Sequence, residues 1–237
     1  MPRRPSIGRR WLTATTWPVG IALTSWDYMW RSTPLHRHEH LEDGDAGHLP
    51  PSLDPVVDHS EVVGVEGGRG PLFHRRYATS IRESRLSPRQ LMAAVKEDPN
   101  RAAPTKFARF QKVLGEKGTL AVGDEFTVRM PGPWDGPVRV IAEDEESFRL
   151  ATLRTHLEAG QIEFRVIEGD LLRFEIESWA RSADRLADVL YQRARMAKEV
   201  QLHMWISFLE GVVSLSGGRM TGGIEIDTRR IADGYVS

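Results

Sequence analysis

Four side chains close together in the sequence have the chemistry for proton transfer: Thr152, His156, Glu158 and Gln161. A carboxylate beside an imidazole orients the ring and raises its pKa, which is the arrangement of an acid–base pair. If the chain is extended here, a period of two places Thr152, Arg154 and His156 on one face. The same residues suit a hydrogen-bonded turn, with Thr and His side chains bonded to main chain and Gly160 at positive φ. The two readings separate on the direction of the ring. Acid–base chemistry needs the imidazole inside a cavity and within hydrogen-bond reach of a carboxylate. A turn needs backbone partners alone.

Three further clusters invite a chemical reading. Met130–Pro137 sets Pro131, Pro133 and Pro137 around Trp134 and Asp135. So stiff a loop either holds Trp134 over a cavity mouth or is a rigid hairpin connection with Trp134 on the surface. Lys198, Glu199, Gln201, His203 and Trp205 share one expected helix. They form a site for a ligand's polar head or, because adjacent Lys198 and Glu199 cannot share a narrow face, a solvated edge with Trp205 in the core. His36, His38 and His40 alternate along an extended segment and aim three imidazoles one way. No further ligand set accompanies them, so no metal site is expected. No cofactor is expected either. The glycines from Gly64 to Gly70 precede a strand rather than the helix N-terminus that phosphate binding needs, and no Gly-x-Ser-x-Gly elbow occurs.

Composition narrows the classes. The chain has no cysteine, which excludes disulfides, thiolate metal sites and cysteine nucleophiles and suits a cytoplasmic protein. A formal net charge of -1 argues against a nucleic-acid partner, which calls for a basic excess on one face. Arg3, Arg4, Arg9 and Arg10 precede a Trp-rich run that begins at Trp11, the outline of a signal peptide. Threonines, Pro18, Gly20 and Asp27 interrupt the run and no small-x-small cleavage site stands out. It is therefore read as an arm, whose Trp11–Trp30 stretch packs on the domain, on a protein partner or peripherally on a membrane. Residues 31–70, broken by prolines and glycines, read as a connector.

Regular structure is expected from Phe73. Phe73–Ile81 alternates as a strand, with Arg75 and Thr79 on the same face as Phe73, Tyr77 and Ile81. Ser87 caps a helix that opens on Pro88, carries Leu91, Met92 and Val95, and stops before Pro99. Phe107, Phe110 and Leu114 are spaced for a second short helix over Thr105–Leu114, ended by Gly115. Alternation then returns around Phe126, Val138, Phe148, Ile162 and Phe174, with charged residues between, as in antiparallel strands wet on one side. The strand from Phe148 is expected to continue toward His156. From Ala183 to Leu215 an apolar stripe through Leu186, Val200, Met204, Phe208 and Val212 predicts one long helix, ended by Gly217 and Gly218. Such a helix needs a large apolar surface, which a curved sheet supplies. The expected fold is α+β, with 1–70 as arm and connector, 71–218 as the domain and 219–237 as a tail.

Gly123–Val140 (GDEFTVRMPGPWDGPVRV) and Phe148–Val166 (FRLATLRTHLEAGQIEFRV), with Thr-Leu-x-x-His-x-Glu-x-Gly from Thr152 to Gly160, resemble the uncharacterised DUF1990 family. Leu172–Trp179 and the final helix extend the likeness to roughly residues 70–218. The resemblance implies a helix-grip fold of the START/Bet v 1-like group, a curved antiparallel sheet wrapped around a long C-terminal helix. It implies little chemistry, because members of the wider group bind lipids, polyketides or other apolar ligands and some are cyclases or hydratases. The first expectation here is an apolar small molecule, lipid-like or polyketide-like, bound between sheet and helix. Phe126, Phe148, Phe164, Phe174 and Met204 would line that cavity, with Trp134 and Thr152 at its mouth. One alternative is a cyclase, hydratase or isomerase using His156 and Glu158. The other is an interaction module whose cavity is filled.

Overall fold

The computed structural model describes residues 33–40, 46–53, 60–104, 108–129, 135–183 and 195–231, with 46 and 195–200 as backbone. The Trp-rich arm and Trp134 lie outside the described residues. The elements in chain order are β1 (Leu35–His40), β2 (Arg69–Arg82), α1 (Pro88–Glu97), β3 (Arg109–Leu114), β4 (Glu125–Arg129), β5 (Asp135–Glu143), β6 (Ser147–Thr152), β7 (Glu158–Ile167), β8 (Leu172–Ser182), α2 (Arg195–Ser216) and β9 (Arg219–Ile231). The strands form one sheet in the order β1-β9-β2-β8-β7-β6-β5-β4-β3. β1 pairs with β9 in parallel, and the other neighbours are antiparallel.

One face of this sheet packs on α2. Tyr77, Ile81, Phe164, Phe174, Ile176 and Ile226 are buried there against Trp205, Phe208, Leu209 and Val212. From β9 to β3 are seven strand spacings, roughly 34 Å if the sheet were flat. An α-helix is only about 10–12 Å across. Yet Ile226 of β9 meets Leu202 at one small void, and Phe110 of β3 lies 6.4 Å, ring to ring, from Phe208. β9 and β3 both reach one helix only if the sheet curls around it.

Local chemistry explains the ends of the helices. Ser87 Oγ accepts from the Gln90 amide at 3.3 Å and Gln90 Oε1 accepts from the Ser87 amide at 2.9 Å, a reciprocal cap for α1. Gly217, at φ 67°, ends α2. Gly211 lies inside α2 because the helix passes close to the turn at Pro99–Arg101. A Cβ there would stand 2.1 Å from the Ala102 carbonyl oxygen.

Four expectations are corrected. Arg109–Leu114 is a strand, not the end of a helix over Thr105–Leu114, and residues 105–107 lie outside the described residues. Phe110 turns inward between exposed Arg109 and Gln111, and its main chain bonds to the Asn100 side chain and to β4. Leu114, which a helix would bury, is 55% exposed. The tail expected from 219 is, over Arg219–Ile231, a strand deep in the sheet, because Ile224, Ile226 and Ile231 have core to fill. The connector supplies β1 and a segment across the outer sheet face, where Leu49 and Val65 close a second apolar cluster with Leu72, Trp179 and Ile231. The long helix is described from Arg195, and Ala183 is a bend rather than a helical residue.

Candidate functional site

β6 stops at Thr152, and the chain turns through residues 153–157 before β7. Positive φ is found at Thr155, at 78° within the turn, and at Gly160, at 157° inside β7. Gly160 is needed inside β7 for another reason: a Cβ there would stand 1.9 Å from the Trp179 carbonyl oxygen of β8. Thr152 Oγ1 donates to the Val63 carbonyl at 2.8 Å and accepts from the Gly160 amide at 3.0 Å. The connector is clipped to the same place, with the Val63 amide on the Thr152 carbonyl and the Arg154 amide on the Glu61 carbonyl.

His156 belongs to this turn. Nδ1 lies 2.9 Å from the Glu158 amide and 3.1 Å from the Glu158 carbonyl oxygen: unprotonated it accepts from the amide, and protonated it donates to the carbonyl. Nε2 lies over Gly136, where a Cβ would stand 2.9 Å away. Among the described residues the ring hydrogen-bonds to the main chain of Glu158 alone. The ring keeps a partly exposed edge, yet burial pushes its pKa down, against the Glu158 carboxylate and a main-chain hydrogen bond that pull it up. This is the geometry a turn requires. It is not that of an imidazole held by a carboxylate over a cavity.

The Glu158 side chain does other work. Its Oε2 accepts from Gln201 Nε2 of α2 at 3.1 Å. Gln201 Oε1 in turn faces Arg75 Nη1 of β2 at 3.5 Å, the outer limit of a hydrogen bond. Arg75 is 2% exposed, on the sheet face that meets the helix, with its guanidinium 4.7 Å from the Phe73 ring centre. A polar chain Arg75–Gln201–Glu158 therefore bridges β2, α2 and β7 inside the molecule. Gln161, expected beside His156 and Glu158, points to the opposite face, where it bonds to the Pro51 carbonyl.

The residues expected to line a cavity are all buried: Phe126, Phe148, Phe164, Phe174 and Met204. The aromatics stack on each other and on the helix, with Phe148 to Phe164 at 4.6 Å, Phe164 to Phe208 at 5.4 Å and Phe174 to Phe208 at 6.3 Å. They fill this part of the interior. A void of about 40 Å³ beside Arg75, Tyr77, Leu202 and Thr228 opens between sheet and helix. That is far short of the roughly 300 Å³ of a small-molecule cavity. A cavity of about 360 Å³ lies instead on the outer sheet face, between β1 and β8. His36, His38 and His40 alternate outward on β1 as their spacing implies. Among the described residues no three His, Asp or Glu side chains are grouped to hold a metal ion. No described helix is long and apolar enough to cross a membrane.

Arg75 is the buried polar residue that sequence reasoning passed over. Its signal was a charged residue on the apolar side of an alternating strand, between Phe73 and Tyr77. The hydrogen bond between His74 and Glu177, 2.6 Å apart under the connector, left no comparable signal, because the two are 103 residues apart.

No family model and no curated protein matches the chain. Solved structures do. Ginseng major latex-like protein 151 from Panax ginseng is 14% identical, with 62% of this chain and 99% of that one covered and a TM-score of 0.44. Truncated norcoclaurine synthase from Thalictrum flavum is 9% identical, covering 62% and 95%, with a TM-score of 0.43. A hypothetical protein from Helicobacter pylori is 13% identical, covering 61% and 87%, with a TM-score of 0.42. Likeness at this level assigns no family and carries no function to this chain.

Proposed function

We propose that this protein is a helix-grip binding module of the START/Bet v 1-like kind, akin to the DUF1990 proteins, for an apolar small molecule that carries an anionic or hydrogen-bonding group. The observation that carries the proposal is the buried Arg75, linked to the half-buried Gln201 and Glu158. A charge inside a protein costs several kcal/mol to desolvate, and apolar residues of similar volume would hold sheet and helix together at least as well. The chain sits where the described part of α2 begins, beside the 40 Å³ void, with the aromatic cluster around Phe208 further along the same interior. An apolar interior with a few convergent polar groups is the pattern of small-molecule sites. Binding includes a parting of sheet and helix beside that void, since a ligand needs several times its volume.

A fluorescence titration with anilinonaphthalene sulfonate, an aromatic body bearing one anion, tests this. The wild type should saturate at one probe per chain, and Arg75→Leu should weaken binding about tenfold while the protein stays folded. No saturable binding, or equal binding by the variant, would remove Arg75 from the site.

A further inference from the structure

The face of the sheet that turns away from α2 carries an ordered lattice of charge. One row runs Arg149, Glu163, Glu177, Arg76, Asp227, His38 across six strands, and the next runs Arg165, Glu175, Ala78, Glu225, His36. Ala78 breaks the second row. Its methyl group stops short where its neighbours are long, and the cavity of about 360 Å³ opens over it, edged by Arg76, Arg173, Glu225, Asp227 and the β1 histidines. Gly222, at φ 76°, forms part of the rim, and a Cβ there would meet nothing within 4 Å. This volume falls at the lower end of the range for small-ligand pockets.

Two cationic or imidazole side chains in this pocket keep unused hydrogen-bonding capacity, while each carboxylate already has an arginine partner. Glu225 Oε2 accepts from Arg173 Nη2 at 2.6 Å. Asp227 Oδ1 accepts from Arg229 Nε at 3.2 Å, and its other oxygen lies 3.8 Å from His40 Nε2. His36 Nε2 donates to the Gly222 carbonyl at 2.8 Å. Each carboxylate is thus neutralised by its own arginine. Arg76 and His38 line the pocket, and neither side chain makes a hydrogen bond or ion pair with a described residue, although the Arg76 charge helps to hold the Glu225 pKa down. A guanidinium offers five N–H donors in a planar fork that matches two oxygens of one oxyanion. Arg76 thus keeps its fork of donors free of hydrogen bonds beside two carboxylates that already have arginine partners.

We propose that this outer pocket is a second binding site, separate from the sheet–helix interior, for the carboxylate or phosphate group of a small polar ligand held by Arg76 and His38. The test is amide-resolved NMR titration of the full chain with sodium phosphate and with sodium acetate, against sodium chloride at matched ionic strength. Saturable shifts are expected at Ala78, Gly222 and Glu225 with phosphate, acetate or both, and none with chloride. Saturation by one salt alone assigns the group as phosphate or carboxylate. Arg76→Gln, a change at an exposed side chain, should weaken binding about tenfold. Ala78→Leu, which keeps every charge and fills the well, should abolish it. Shifts that do not saturate, that chloride reproduces, or that survive Arg76→Gln within twofold would overturn the proposal. If Ala78→Leu fails to fold, the arginine variant decides alone.

Discussion

Gly211→Ala tests the packing of α2 by the sign of its effect. In a helix with open space around it, alanine is favoured over glycine by about 1 kcal/mol, so the substitution would stabilise the protein. Here the added methyl carbon would stand 2.1 Å from the Ala102 carbonyl oxygen, and ordinary contact starts near 3.4 Å. Helix and turn must part by more than 1 Å, and the neighbour is backbone, which cannot swing aside as a side-chain tip can. Overpacking of this kind costs about 1–3 kcal/mol. Set against the helical preference, the net effect is a loss of up to about 2 kcal/mol, a fall in Tm of some degrees for a chain of this size. Urea unfolding by circular dichroism reads it, with an unchanged slope showing that the same surface is exposed in both proteins. A variant more stable than the wild type by about 1 kcal/mol, the value for an unobstructed helix, would refute the close passage of α2 over the Pro99–Arg101 turn.

Phe164→Ala should cost about 3–5 kcal/mol, because the ring is fully buried between Phe148, Trp205 and Phe208; a loss under about 1 kcal/mol by the same unfolding assay would mean an interior loose enough to collapse. His156 makes stability depend on pH in a defined direction. Burial lowers its pKa in the folded protein, so the unfolded chain takes up the proton first as pH falls. Its contribution is complete above about pH 6.5, the unfolded value, and is lost as pH falls through the folded value. The carboxylates of Glu177 and Glu225, whose pKa values are lowered, lose their contributions only below about pH 4.5. Thermal melts from pH 7.5 to 5.5 should therefore slope downward in the wild type and less so in His156→Asn, and equal slopes would contradict the buried ring.

The parts of the fold legible in the sequence were those in which local pattern and tertiary role agree. Ser87-Pro88 followed by Leu91, Met92 and Val95 states a capped amphipathic helix with no need of long-range information. The period-two runs around Phe126, Phe148, Phe164 and Phe174 state strands with one wet face. Phe110 and Leu114 misled because a spacing of four occurs by chance in a six-residue strand, where pairing with β4 decides the conformation. β9 was legible in Ile224-Glu225-Ile226-Asp227, but its glycines at 222 and 223 and its place after the long helix gave it the look of a tail. At His156 the sequence left a turn and an acid–base pair both open, with the strand from Phe148 continuing toward it; the strand stops at Thr152, Gly160 has the expected positive φ, and no local pattern announced the second one at Thr155. What no local pattern could supply was the meeting of Arg75, Glu158 and Gln201, which requires knowing that β2, β7 and α2 converge.

If the interior beside Arg75 takes a small molecule, native mass spectrometry of the protein purified from its own host should find it there. The folded species should be heavier than the chain by the mass of one small molecule, an excess lost on denaturation and absent or reduced in Arg75→Leu. A wild-type protein that carries only its own mass from host extract, and stays so after incubation with that host's lipid and aromatic small-molecule fractions, would contradict the proposed binding.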